Sequence, residues 1–194
     1  MKSIVVFASG GGSNFKSIYN GTLNGKIKNT SISLLISNNP KSGAVLFAKE
    51  KDIDVFILNA NRYPDNDEYE SVLIEKLKKV DPILVILAGY MKLIPSKTTS
   101  IYKGKIINIH PGKLPDFGGK GFYGMNVHQA VINSGVKETA ITIHYVNEEY
   151  DKGMIIHQEK IPINRDDSVE SLAKKVLLME HKIYPKIINK LLNN

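Results

Sequence analysis

The sequence contains no cysteine, only two arginines (Arg62 and Arg165) and no apolar run of membrane-spanning length. Each absence removes a class of function. Without cysteine there is no disulfide framework, thiolate nucleophile or Cys-ligated zinc. Two arginines among 26 basic residues argue against a nucleic-acid reader, because the guanidinium fork is what pairs with phosphate and guanine. A membrane span needs about 20 apolar residues, and no stretch approaches that. Met1–Ser9 does not read as a secretion signal, since its short apolar stretch runs into glycines and suits a first strand. The chain therefore reads as soluble and cytoplasmic. Its net charge of +7 comes from scattered lysines, which a small anionic substrate explains economically. At 194 residues it reads as one domain, long enough to bury a core without staples.

What is present is an alternation of two periods. Ser3–Ala8, Ser31–Ser37, Val55–Leu58 and Ile83–Ala88 are rich in Ile, Val and Leu and read as buried strands. Asn14–Tyr19, Ser42–Lys51 and Glu68–Lys79 lie between them with apolar residues at helical spacing. That order predicts an α/β fold with a doubly wound, mostly parallel sheet, whose ligands sit beyond the C-terminal strand ends. The second half differs. A strand at Lys105–His110 leads through a glycine-rich loop to a helix at Gly124–Asn133. Strands at Thr139–Val146 and Met154–Ile163 follow, with Asn147–Gly153 as the turn between them. Asp166-Asp167-Ser168 then opens a last helix running to about Leu192.

Ile107-Asn108-Ile109-His110-Pro111 is the segment richest in chemistry. Residues two apart on a strand share a side, so Asn108 and His110 leave the strand end together. That pairs an amide donor with the side chain suited to moving protons near neutral pH. A turn-capping asparagine beside a satisfied strand-end histidine is the plainer alternative. Ser9-Gly10-Gly11-Gly12-Ser13-Asn14 follows the first strand and opens the first helix, where free amides suit a phosphate. It is neither a Walker loop, lacking Gly-Lys-Ser/Thr, nor a dinucleotide fingerprint, since Phe15 takes the third glycine position. A tight strand-to-helix turn is the alternative there. Asp151 lies in an acidic run that reads either as a solvated turn or as a carboxylate able to relay a proton with His110. His128, His144 and His157 fall in regular structure and read as structural, Glu180-His181 as a surface pair. No His-Glu-x-x-His spacing suggests a metal.

Taken in order, these pieces resemble a family. They are Ser9–Asn14, Leu87-Ala88-Gly89-Tyr90-Met91-Lys92, Ile107–Pro111 with Leu114-Pro115, His144–Asp151 with Gly153, and Glu180-His181 with Tyr184-Pro185. Together they resemble the phosphoribosylglycinamide formyltransferases, folate-dependent enzymes of purine synthesis, over essentially the whole chain. The resemblance implies a Rossmann-like formyltransferase domain, nucleotide-binding over about 1–100 and catalytic and folate-binding over about 101–194. It implies transfer of the formyl group of 10-formyltetrahydrofolate to glycinamide ribonucleotide, with Asn108, His110 and Asp151 catalytic. Gly12, Ser13 and Asn14 would hold the phosphate, with Glu180 near the glycinamide end. Met91, Lys92, Leu93 and Ile94, with Asn147, Glu148, Glu149 and Tyr150, would line the folate pocket. Two small-molecule substrates, no metal, nucleic acid or membrane, and a monomer or homodimer complete that expectation. Asn66 and Lys92 stand where the family often has arginine, and Lys120 lies in a longer loop from which it would reach a substrate anion. A 10-formyltetrahydrofolate hydrolase and a non-catalytic nucleotide-binding module are the rival readings.

Overall fold

The computed structural model describes residues 1–193. Seven strands form one sheet, in the order β3-β2-β1-β4-β5-β6-β7. β1 (Lys2–Phe7), β2 (Thr30–Ser37), β3 (Val55–Ile57), β4 (Leu84–Leu87) and β5 (Ile106–His110) run parallel. β6 (Glu138–Tyr145) and β7 (Ile155–Pro162) complete the sheet antiparallel. The doubly wound, mostly parallel expectation is met.

Helices cover both faces, which is why the parallel strands read as unbroken apolar runs rather than alternating ones. On β1, Ile4 and Val6 join the core beneath α1 (Ser13–Leu23), α2 (Gly43–Glu50), α5 (Met125–Ser134) and α6 (Val169–Asn193). Val5 and Phe7 join the opposite core with Leu73 and Leu77 of α3 (Asn66–Val80) and with Tyr102. Local rules set the boundaries. Asp65 caps α3 by accepting the Glu68 amide at 2.8 Å, Asp67 and Glu68 occupy its first turn, and Lys78 and Lys79 its last.

One helix was not expected. α4 (Ser96–Ile101) has the sequence SKTTSI, without an apolar stripe. A distant group organises it: the buried Glu70 carboxylate accepts the Thr98 amide at 2.9 Å. The strand order reverses between β1 and β4, the position where open α/β sheets hold their ligands. There the two loops are joined, the Ser9 amide donating to Gly89 O at 3.1 Å and the Met91 amide to Ser9 Oγ at 3.0 Å.

Candidate active site

β5 ends one strand beyond this switch point, and its other neighbour decides what Asn108 and His110 meet. The antiparallel register sets Asn108 opposite His144 and His110 opposite Thr142. Asn108 Nδ2 donates to His144 Nε2 at 3.2 Å, while His144 Nδ1 donates to the Tyr145 carbonyl at 2.8 Å. His110 Nε2 donates to the Phe117 carbonyl at 2.6 Å, which fixes its proton on that nitrogen and turns Nδ1 towards Asp151 Oδ2, 3.5 Å away. His144 Nε2 lies 3.5 Å from the other oxygen of Asp151. One carboxylate thus faces two imidazoles.

The turn between β6 and β7 brings Asp151 there. Asp151 has φ 57°, in the left-handed region where Asp is among the few tolerated residues. At Gly153 a Cβ would overlap the Tyr145 carbonyl, so the Asp-x-Gly spacing is a steric requirement of this turn. From the other side, the Gly119 amide donates to Asp151 Oδ2 at 3.0 Å. At Gly118 a Cβ would overlap the Leu114 side chain and lie 3.1 Å from Asp151 Cβ. The loop therefore needs glycine to approach the carboxylate.

Burial and charge oppose one another in this cluster. Burial pushes Asp151 up, but the His144 contact, the charge that His110 carries when protonated and the Gly119 amide outweigh it and hold the carboxyl below its ordinary value. For His110 the balance falls the other way. Burial lowers its pKa more than Asp151 and the Phe117 carbonyl raise it, so the ring is neutral near pH 7 in the free protein. The 3.5 Å contact is accordingly no standing ion pair.

The glycine loop after β1 opens α1 with Gly12 as N-cap, at φ 75° and without a side-chain cap. A Cβ at Gly12 would lie 2.9 Å from Ala44 Cα, so only glycine fits. The first amides of α1, like those of any helix, have no partner within the helix and suit an anion. Asn14 Nδ2 donates to Glu180 Oε2 at 2.8 Å, leaving Asn14 Oδ1 buried without a partner among the described residues. Glu180 is not the surface residue that the Glu180-His181 pair suggests: it is 6 % exposed, and burial pushes its pKa up to about 7 against the Asn14 hydrogen bond.

These groups share a cavity of about 490 Å³. Its walls include Asn108, His110, Asp151, Asn14 and Glu180, and, on the side of the folate expectation, Met91, Lys92, Leu93, Ile94, Glu149 and Tyr150. Lys120 lines it as well. Four expected residues stand outside it. Gly12 is packed under Ala44, and Ser13 faces a neighbouring polar hollow. Asn147 braces the turn through the Glu149 amide, at 3.1 Å, and Glu148 is exposed. His144, read as structural, belongs to the centre of the cluster. Two polar residues at alternate positions, Thr142 and His144, in the strand pairing with Asn-x-His were the available signal. Among the described residues no group of three or more His, Asp or Glu is arranged to hold a metal.

An open α/β sheet with an amide, two imidazoles and a carboxylate converging on a substrate-sized cavity describes a small-molecule protein equipped for acid–base chemistry. The family model for formyl transferase matches residues 2–188. The chain is 43% identical over 96% of its length to the chloroplastic phosphoribosylglycinamide formyltransferase of Arabidopsis thaliana, spanning 64% of that protein. It is 38% identical to the Bacillus subtilis phosphoribosylglycinamide formyltransferase, over 99% of this chain and 95% of that one. The solved phosphoribosylglycinamide formyltransferase of Bacillus halodurans superposes with a TM-score of 0.91 at 36% identity, covering 100% of this chain and 96% of that one. The chain belongs to the formyl transferase family.

Proposed function

We propose that the protein transfers the formyl group of 10-formyltetrahydrofolate to the amine of glycinamide ribonucleotide, as a phosphoribosylglycinamide formyltransferase in purine synthesis. The observation that carries this reading is the meeting of Asp151 with His110 and His144, each at 3.5 Å, beside Asn108 in a cavity that also reaches Glu180 and Met91. A binding module has no use for a carboxylate held ionised against two imidazoles.

In the proposed reaction the substrate amine attacks the formyl carbon, forming the new C–N bond and placing the carbonyl electrons on oxygen. Asn108 meets that oxyanion with the second hydrogen of its amide, the first being given to His144. His110 adds a donor by turning its Nε2–H from the Phe117 carbonyl to the oxyanion. Asp151, directly or through a water, takes the proton lost by the amine and returns it to the departing folate nitrogen as the old C–N bond breaks. His110 stays neutral throughout and donates through that single Nε2 hydrogen, because burial disfavours its charged form. Holding both substrates in line supplies much of the remaining acceleration.

The halves divide the work in this reading: residues before about 100 supply the phosphate end through Gly12, Ser13 and Asn14, and later ones the catalytic groups. Met91–Ile94 and Asn147–Tyr150 flank the reduced folate, partly through backbone, with Lys92 and Lys120 as the cations on the cavity wall. Two small-molecule substrates, a monomeric or homodimeric state and a cytoplasmic setting belong to the same proposal. Spectroscopic turnover of 10-formyltetrahydrofolate, with and without glycinamide ribonucleotide, tests it. Tetrahydrofolate release that depends on the ribonucleotide is the expected result. Equal release without it would mean a hydrolase, and binding of either ligand without release a non-catalytic module.

A further inference from the structure

The segment proposed to flank the folate, Met91–Ile94, has no regular secondary structure of its own. Met91 is 55 % exposed and Leu93 40 %, so two apolar side chains of this wall stand open in the free protein. Without a ladder of its own, such a wall keeps its shape only where its ends are held. At its start the sheet side supplies Ser9, whose amide donates to Gly89 O at 3.1 Å and whose hydroxyl accepts the Met91 amide at 3.0 Å. Two further anchors come from behind, and both belong to α3.

Tyr69 and Glu70 are consecutive residues of α3, and they reach opposite ends of the segment. The Tyr69 hydroxyl lies 3.2 Å from the hydroxyl of Tyr90, the residue before Met91. Tyr90 lines the cavity, and an edge-on contact with Phe7, ring centroids 5.1 Å apart, seats its ring against β1. Burial raises the pKa of both phenols, so both stay protonated at neutral pH and one donates to the other. At the far end, Glu70 Oε1 accepts the Thr98 amide at 2.9 Å and lies 3.4 Å from Thr98 Oγ1. That contact holds the first turn of α4, which begins two residues after Ile94. Neither Tyr69 nor Glu70 lines the cavity, so each acts on a ligand only through the segment it holds.

We propose that Tyr69 and Glu70 are positioning residues for the folate, bracing the Tyr90–Ile94 wall from behind at its two ends. The inference rests on the reaction proposed above. It is tested by steady-state kinetics of single and paired variants, each first checked for a wild-type melting profile. Tyr69→Phe should raise the 10-formyltetrahydrofolate KM roughly three- to tenfold, the size of one hydrogen bond, with kcat and the ribonucleotide KM within twofold. Tyr90→Phe should raise the folate KM by a similar factor. Each single change strands the other hydroxyl, so the double variant should be no worse than either. Glu70→Ala should raise the same KM, and Glu70→Gln, which keeps an acceptor for the Thr98 amide, should restore part of the loss.

An unchanged folate KM in Tyr69→Phe overturns the inference alone. So do additive losses in the two tyrosine variants, or an equal rise in both substrates' KM, because the side chains would then be acting by general packing. Where Glu70→Ala melts early, the tyrosine pair decides. A wild type with no ribonucleotide-dependent turnover overturns the parent reaction and this inference with it, and that result is visible before any variant is made.

Discussion

Two carboxylates line one cavity, Glu180 buried and Asp151 half-buried, and their pKa values are moved in opposite directions. Asp151 arrives on a turn and meets a backbone amide and two imidazoles. Glu180 arrives on α6 and, among the described residues, is hydrogen-bonded by the Asn14 side-chain amide alone. Burial pushes both upward, yet Asp151 ends below its ordinary value while Glu180 rises to about 7. The neighbours, more than the depth, decide which carboxylate is an anion at working pH. A carboxylate held ionised beside imidazoles can accept a proton. One poised near neutrality can hydrogen-bond a polar ligand without presenting a full charge.

The most forceful way to break that contrast is Asp151→Asn, which keeps the shape and removes the charge. Turnover should fall by roughly 10²–10⁴, the worth of a positioned general base, with both substrates still bound. Near-normal turnover in a stopped assay would take Asp151 out of the proton path.

Glu180→Gln tests the other carboxylate through stability. A folded pKa near 7 against an ordinary 4.5 means that Glu180 contributes fully below about pH 4.5 and that its contribution is lost as pH rises through 7. Gln keeps an acceptor for Asn14 and removes the buried charge. Urea unfolding at pH 8 should therefore find Glu180→Gln more stable than the wild type, by up to about 3 kcal/mol at the pKa conversion of 1.36 kcal/mol per unit. The gap should close by pH 4.5, and a gap independent of pH would contradict the assignment.

The mildest test is His144→Phe, which removes one of the groups holding Asp151 down. Asp151 should titrate higher, and the acid limb of the pH–activity profile should move to higher pH. A stationary limb would show that His110 and the Gly119 amide hold Asp151 down without help.

Much of the fold could be read from the sequence because burial on both faces leaves a signature in the strands. β1, β2 and β4 are runs of Ile, Val, Leu and Phe, and such runs have few other uses in a chain of this length. α4 left no trace because what holds it, Glu70, lies 28 residues before Thr98 and works through the backbone amide. At the site, the Asn108–His110 spacing and the Asp151-x-Gly153 turn are local and were read. Two histidines were not. His144 reads as a strand residue until the register places it opposite Asn108, and no single-strand pattern reveals a register. His128 reads as a structural residue until α5 is docked and sets it on the cavity wall. Glu180 reads as a surface residue for a related reason: the face of α6 that carries it is covered by the start of α1, where Asn14 stands 166 residues earlier.

That span has a consequence in time. Every group assigned to the chemistry has been synthesised once residue 151 has left the ribosome, yet the Asn14 contact awaits Glu180 and the Leu87 carbonyl awaits the hydroxyl of Tyr184, 97 residues further on. Contacts so distant along the chain form late, after the closure entropy of long loops has been met. The nascent protein should therefore carry its reactive groups for some time in an unfinished pocket, and acquire activity in one late step when the last helix docks.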